Sequence, residues 1–282
     1  MSTHYSPLRY PGGKAKLAKF LAKLLVDKAN GKKIIFVEPF AGGAGAALSL
    51  LLTGKVSKII INDLDPAIYT FWKVAIHDTD RLIRKIRRTE VTIAEWRKQQ
   101  SIYKGRPENE LKFAFATFFL NRANRSGIIE GGPIGGFEQS GEWKIAARFN
   151  KPELIRRLKL IQSFKDSIEV TNLDGIQLLK HIQKRKDSSN HFIFIDPPYI
   201  EKGNLLYLNH YKKNDHENLA DFLKVSTLDW IMTYDDNSYV RRLYSEQQVK
   251  GFTISHTAYS RKKGKEVLIS PGVIKGRVLV GL

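Results

Sequence analysis

The sequence predicts an open-sheet α/β fold interrupted by a helical insertion. Three observations predict it. Short, buried, β-branched runs alternate with helix-length segments at both ends of the chain. A glycine-rich turn follows the first of these runs directly. The middle third loses the alternation and becomes helical and basic.

Taken in order, Ile34–Val37 reads as a strand running straight into the glycine-rich Phe40–Gly45, and Ala46–Leu52 as the helix after it. Val56–Ile61 is a second buried strand, ending at Asn62-Asp63. Strand, glycine turn, helix and strand make a right-handed parallel βαβ unit. A helix follows over Pro66–Ala75, with proline at a tolerated first-turn position. From about 76 to 165 long apolar runs such as Leu111–Leu120 alternate with basic residues, and GIIEGGPIGGF at 127–137 is too rich in glycine for a helix. Asn150 with Glu153 three residues on opens a helix over Pro152–Phe164. The α/β rhythm then returns: strand Ile168–Thr171, helix Gly175–Lys184, strand His191–Ile195, a loop to about Asn214, helix Asp215–Lys224 and strand Trp230–Thr233. Helix Ser238–Ser245 and strands Val249–His256 and Glu266–Ser270 close the chain. The expected organisation is a discontinuous α/β domain, 1–75 and 166–282, around an insertion at 76–165.

Charge and cysteine content narrow the function. Lys and Arg number 47 against 28 Asp and Glu, a formal net charge of +19 over 282 residues. Solubility of a small domain needs only about 2–8, so a polyanionic partner is favoured, nucleic acid ahead of a membrane surface. The absence of cysteine excludes a disulfide scaffold, cysteine-ligated zinc and attack by a thiolate on a cytosine ring. The N-terminal MSTHYSPLRYPGGK lacks the apolar stretch of a signal peptide, and no run reaches the length of a membrane span. A cytoplasmic protein is expected.

The chemistry centres on Asp196-Pro197-Pro198-Tyr199, directly after the apolar HFIFI. Open α/β sheets bind ligands at the carboxyl ends of their strands. Two prolines stiffen the loop and remove two backbone donors, leaving carbonyls as acceptors. Such a loop suits an exocyclic amine whose lone pair is delocalised into a ring. The Asp196 carboxylate and the Pro197 carbonyl would each accept one N–H and free the lone pair, and Tyr199 would stack on an extruded base.

The glycine loop, EPFAGGAG at 38–45, lets a cofactor approach the backbone closely, through Phe40, Gly42 and Gly43. It is only a fragment of a dinucleotide fingerprint, since Leu48 takes the third glycine position. Glu38 would repel a pyrophosphate and suits a ligand carrying a sulfonium and an ammonium. Asp63 is placed to accept from ribose hydroxyls. Asp174 either accepts from the cofactor's adenine amine or caps the next helix. In Tyr10-Pro11-Gly12-Gly13-Lys14, a tight turn before a basic helix, Lys14 either stays solvated, which the residues alone favour, or pairs with a carboxylate, and Tyr10 is available to an aromatic ring.

These segments, in this order, resemble the Dam-like DNA adenine-N6 methyltransferases. The likeness rests on YPGGK at 10–14, EPFAGGAG at 38–45, ND at 62–63, FLNR at 119–122, DPPY at 196–199 and KKGKE at 262–266. It implies a Rossmann-like S-adenosylmethionine-dependent methyltransferase sheet with an inserted helical DNA-recognition domain, and direct, metal-free methyl transfer. By position it implies cofactor contacts at Tyr10, Lys14, the 40–45 loop and Asp63, with Asp196 the catalytic acid. Asn121 and Arg122 would lie near DNA, joined by Arg125 and Arg148 of the insertion. The basic Arg261, Lys262 and Lys263 would clamp backbone. Between 123 and 149 the sequence departs from GATC-specific members, so that site is not implied. Double-stranded DNA is the expected partner, in a bacterial or phage-type setting, and a cognate restriction endonuclease is admitted as another.

Three rivals share parts of this pattern. Methylation of cytosine N4, or of adenine in RNA, uses a similar amine. A nicotinamide-dependent dehydrogenase would share the βαβ start but leave DPPY and the basic excess unexplained. A catalytically dead DNA-binding homologue would bind DNA and cofactor and transfer nothing.

Overall fold

The apolar runs assemble edge to edge because each is buried on both faces and needs neighbours for its backbone groups. In a computed structural model describing residues 5–10, 14–29, 31–199, 211–255 and 263–272, they form one seven-stranded sheet. Its strands are β1 (Ile35–Glu38), β2 (Lys58–Asn62), β3 (Ile168–Thr171), β4 (His191–Ile195), β5 (Asp229–Asp235), β6 (Gln248–Ser255) and β7 (Lys263–Ser270). Their order across the sheet is β3-β2-β1-β4-β5-β7-β6. The first five are mutually parallel. Strand β7 runs antiparallel to both β5 and β6.

Alternate residues feed two apolar layers. Phe36, Ile59, Ile61, Phe192 and Phe194 share one cluster with helices α1 (Ala18–Ala29), α2 (Gly45–Leu52) and α3 (Pro66–His77). Val37, Ile60, Ile193 and Ile195 share the other with α8 (Gly175–Gln183), α9 (Lys213–Val225) and α10 (Ser238–Leu243). Each fully buried Phe, Ile or Val contributes about 1.5–3 kcal/mol over its exposed state, so register is fixed by which face each side chain must reach. Strand β5 runs past the expected end at Thr233 because Tyr234 and Asp235 pair with Val267 and Glu266 of β7, a pairing that no local pattern reports.

The segment between α3 and β3 holds α4 (Thr79–Arg88), α5 (Ile93–Gly105), α6 (Glu110–Ala123) and α7 (Lys151–Gln162). Asn150 caps α7, its side chain accepting from the Glu153 N–H. Helix α6 is apolar on nearly every side and buried accordingly. Its Phe118 stacks on Phe71 of α3 with centroids 5.8 Å apart. The apolar residues of this insertion belong to the same cluster as Phe36 and Ile61, so it shares the sheet's core. The expected boundary at 76 falls inside α3, and that at 165 in a short 3-10 turn, Lys165–Ser167. Among the described residues no helix is long and apolar enough to cross a membrane.

Candidate active site

Strands β1 and β4 are neighbours, yet the helices that follow them cover opposite faces. A crevice opens at such a switch point, outside the carboxyl ends of the strands. Glu38 ends β1, Asn62 ends β2, and Asp196 follows β4.

Asp196 is the hub. Its Oδ1 accepts from Thr233 Oγ1 at 2.7 Å and from Tyr199 Oη at 3.1 Å, and lies 3.3 Å from Lys14 Nζ. The buried Lys14 ammonium also donates to Tyr199 Oη at 2.6 Å and to Glu266 Oε1 at 3.4 Å. Two carboxylates thus offset one buried ammonium, which an apolar interior would not otherwise hold. Burial raises the Glu266 carboxyl, against the pull of Lys14. Burial and the charges of Asp196 and Glu266 raise the Tyr199 phenol far above its ordinary value, so it stays a proton donor. Tyr199 is therefore held by its hydroxyl and leans on Tyr234, centroids 6.0 Å apart.

The cofactor-side residues surround the first glycine turn. Glu38 is buried and accepts from the Ala47 N–H at 3.0 Å. Burial pushes its carboxyl up to about 8, and the charge of Asp196 adds to the rise. Asp63 accepts from the Gly42 N–H at 2.8 Å and the Asp65 N–H at 3.0 Å, and burial pushes it up to about 7. Two buried carboxyls beside the turn suit a ligand carrying a sulfonium and an ammonium better than a phosphate. Asn62 ties the strand ends together, donating to the Pro39 and Leu173 carbonyls and accepting from Thr171 and the Leu173 N–H. Among the described residues no group of three or more His, Asp or Glu is arranged to hold a metal.

The glycines serve a neighbour in the chain. Gly42 has φ +46, and a Cβ there would come within 2.5 Å of the Tyr10 ring. At Gly43 a Cβ would lie 3.0 Å from Tyr10 Cβ. Tyr10 thus lies against both glycines, and Trp72 Nε1 donates to the Gly42 carbonyl. Phe40 packs on Gly175, where a Cβ would meet its ring at 2.4 Å, and edge-on against Tyr211. Asp174 caps α8, accepting from the Ile176 and Gln177 N–H groups. Pro11, Gly12 and Gly13 lie outside the described residues.

Of the residues expected at DNA, Asn121 requires correction. It is fully buried, accepts from the Arg9 N–H at 2.8 Å, and donates to the carbonyls of Arg9 (2.7 Å) and Gly127 (2.8 Å). It clips the N-terminal segment to the end of α6, leaving nothing for a base. Arg125 and Arg148 are exposed, Arg148 lying 5.4 Å from the Trp143 ring. Arg122 donates to the Arg148 carbonyl. Burial, with Arg9, Arg157 and Arg148 close by, lowers its guanidinium to about 9. Arg261 and Lys262, and the side chain of Lys263, lie outside the described residues. The sequence assigned no role to Thr233, Arg9 or Glu266, the last residue of KKGKE; a lone Thr ending the run WIMT and a lone Glu opening EVLIS were the available signal.

Residues 10–261 match the model of the D12 class of N6 adenine-specific DNA methyltransferases. The chain belongs to this family. It is 24% identical over 241 residues to the Type II methyltransferase M.CviBI of Paramecium bursaria Chlorella virus NC1A, covering 80% of each chain. It is 24% identical over 206 residues to the modification methylase StsI of Streptococcus sanguinis, covering 69% of this chain and 28% of that one. Among solved structures it is similar to the rRNA methyltransferase aviRa of Streptomyces viridochromogenes, at 13% identity and TM-score 0.38 over 94% of this chain and 88% of that one. A putative RNA methyltransferase from Pyrococcus horikoshii matches at 11% identity and TM-score 0.38, over 94% and 89%. The D12 membership makes this an adenine-specific DNA methyltransferase, and the family implies S-adenosylmethionine as methyl donor.

Proposed function

We propose that the crevice between β1 and β4 takes S-adenosylmethionine on its acidic side and an adenine extruded from duplex DNA against Asp196-Pro197-Pro198-Tyr199. The observation that carries this reading is the Asp196 carboxylate, fixed by neighbouring donors at the switch point beside Glu38. The cofactor supplies an electrophilic methyl on a sulfonium. Glu38 answers its positive end, Asp63 its ribose hydroxyls, and Tyr10, Phe40 and Asp174 border the rest. Asp196 and the Pro197 carbonyl accept the two N–H groups of the adenine amine, which drives the nitrogen toward sp³ and makes its lone pair available. Asp196 would then take the surplus amine proton and pass it to water once the nitrogen has received the methyl that a bound cofactor would supply.

Duplex DNA as the substrate form is supported by the +19 charge and by Arg122, Arg125 and Arg148 around the insertion. The names of both curated relatives, a type II methyltransferase and a modification methylase, support a cognate restriction endonuclease as partner. Asp196→Ala tests the chemistry. Transfer of labelled methyl to adenine should vanish while cofactor binding persists, and the unfolding midpoint should fall without loss of the fold, because the buried Lys14 loses one of its two carboxylates and keeps Glu266. Substantial transfer by this variant contradicts the mechanism.

A further inference from the structure

Thr233 is a polar side chain where the sheet offers it no polar company. It is fully buried on β5, one residue beyond the register pair Met232–Ile195 that joins β5 to β4. Its strand neighbours Met232 and Tyr234 are core residues of one layer and Ile231 of the other. A buried hydroxyl is costly unless bonded, and packing alone would accept valine, its near-isostere. Its hydroxyl hydrogen goes to Asp196 Oδ1, at 2.7 Å the shortest of the three contacts on that oxygen.

The three contacts share a feature that none has alone. Thr233, Tyr199 and Lys14 all fall on Oδ1, and among the described residues none falls on Oδ2. A carboxylate bound through one oxygen cannot exchange its two oxygens by rotating, so the other is held in a fixed direction. The three holders differ in stiffness. Tyr199 moves with the loop that carries Asp196, three residues away. Lys14 reaches in on a long flexible stem and divides its donors among Asp196, Tyr199 and Glu266. Thr233 stands on a central strand, paired on both sides, and its β-branch restricts χ1. It alone ties the acid to the rigid frame of the sheet.

We propose that Thr233 is the positioning residue of the acid, fixing Asp196 through Oδ1 so that Oδ2 faces the incoming amine. This rests on the reading of Asp196 as the amine's acceptor. Thr233 touches neither cofactor nor base and acts through the geometry of Asp196 alone. A group held slightly off its productive geometry loses turnover rather than substrate affinity.

The test compares Thr233→Val, Thr233→Ser and Asp196→Ala in the full chain, with single-turnover transfer to an oligonucleotide duplex, steady-state kcat and KM, and equilibrium cofactor binding. For Thr233→Val, kcat should fall about 10–100-fold, the range expected for losing one hydrogen bond to a charged group. KM for DNA and cofactor affinity should stay within about threefold, and Thr233→Ser should recover most of the rate. If Thr233→Val proves too unstable to assay, Thr233→Ala is read by the same split between kcat and KM. A Val variant as fast as the parent, a loss that appears mainly in KM, or a Ser variant as slow as Val would each overturn the proposal. Asp196→Ala separates the two readings. An inactive Asp196→Ala beside a fully active Thr233→Val sinks the positioning role alone, and an active Asp196→Ala sinks the acceptor on which it depends.

Discussion

Glu38 is asked to be buried and to be an anion, and the two demands conflict. Burial pushes its carboxyl up to about 8 from an ordinary 4.5. Between those values the folded chain holds a proton that the unfolded chain has released, so stability falls as pH rises through that window. A cationic ligand reverses the preference, since it binds the ionised form and expels the proton. Affinity for S-adenosylmethionine should therefore rise between pH 7 and 8 by up to about tenfold, with proton release on binding. Calorimetry in buffers of different ionisation enthalpy reads that proton directly. Glu38→Gln should abolish the release above pH 7, and an unchanged release would show that another group titrates. Asp63, pushed up to about 7, adds to the slope below that pH with the same sign. Glu38, Asp63 and Asp196 were legible in the sequence because each ends or follows a β-prone run, where open sheets keep their sites. Thr233 and Glu266 were not, although each stands at an end of an expected strand, because what each touches depends on the order in which β4, β5 and β7 pair. Asn121, expected near DNA, is buried and clips backbone, a role set by a residue 112 positions away that no local pattern reports.

The elements meet where the N-terminal segment crosses the end of α6. Gly127 has φ +79, and a Cβ there would come within 2.4 Å of the Arg9 carbonyl oxygen. That oxygen is also one of the acceptors that Asn121 holds. Gly127→Ala combines backbone strain with a backbone clash, and should cost about 2–3 kcal/mol in denaturant unfolding. Because Arg9 adjoins Tyr10, which lies against Gly42, cofactor affinity should weaken as well. Gly132→Ala in the same loop is the control: nothing lies within 4 Å of a Cβ there, and its effect should stay within about 0.5 kcal/mol. Equal effects from the two substitutions would mean that this crossing does not couple the insertion to the glycine turn. The glycine-rich stretch was correctly read as non-helical, but its internal order was hidden. Gln139 holds it together, donating to the Ile134 and Gly136 carbonyls and accepting from the Ile145 N–H. Strands such as β4 were readable to the residue because five consecutive buried side chains leave no other placement.

The whole molecule carries a charge that its fold does not use. Beside burial, the charges of Arg9, Arg157 and Arg148 lower the Arg122 guanidinium, and that of Arg148 lowers Arg9. The carboxylate bound to Arg157, Glu153, is shared with Arg156. Such crowding disfavours the folded chain alone and favours its complex with a polyanion, which brings the missing negative charge and releases its own counterions. If six or more phosphates are neutralised, affinity for duplex DNA should fall by about a thousandfold or more between 50 and 200 mM salt. Arg148→Ala discriminates between a structural and a DNA-facing arginine. It should reduce the slope of log K against log salt by about one. It should leave the melting temperature near that of the parent, because the Arg148 carbonyl that Arg122 uses is retained and one repulsive neighbour is gone. A salt slope that does not change, or a melting temperature that falls together with affinity, would assign these arginines to holding the fold rather than the nucleic acid.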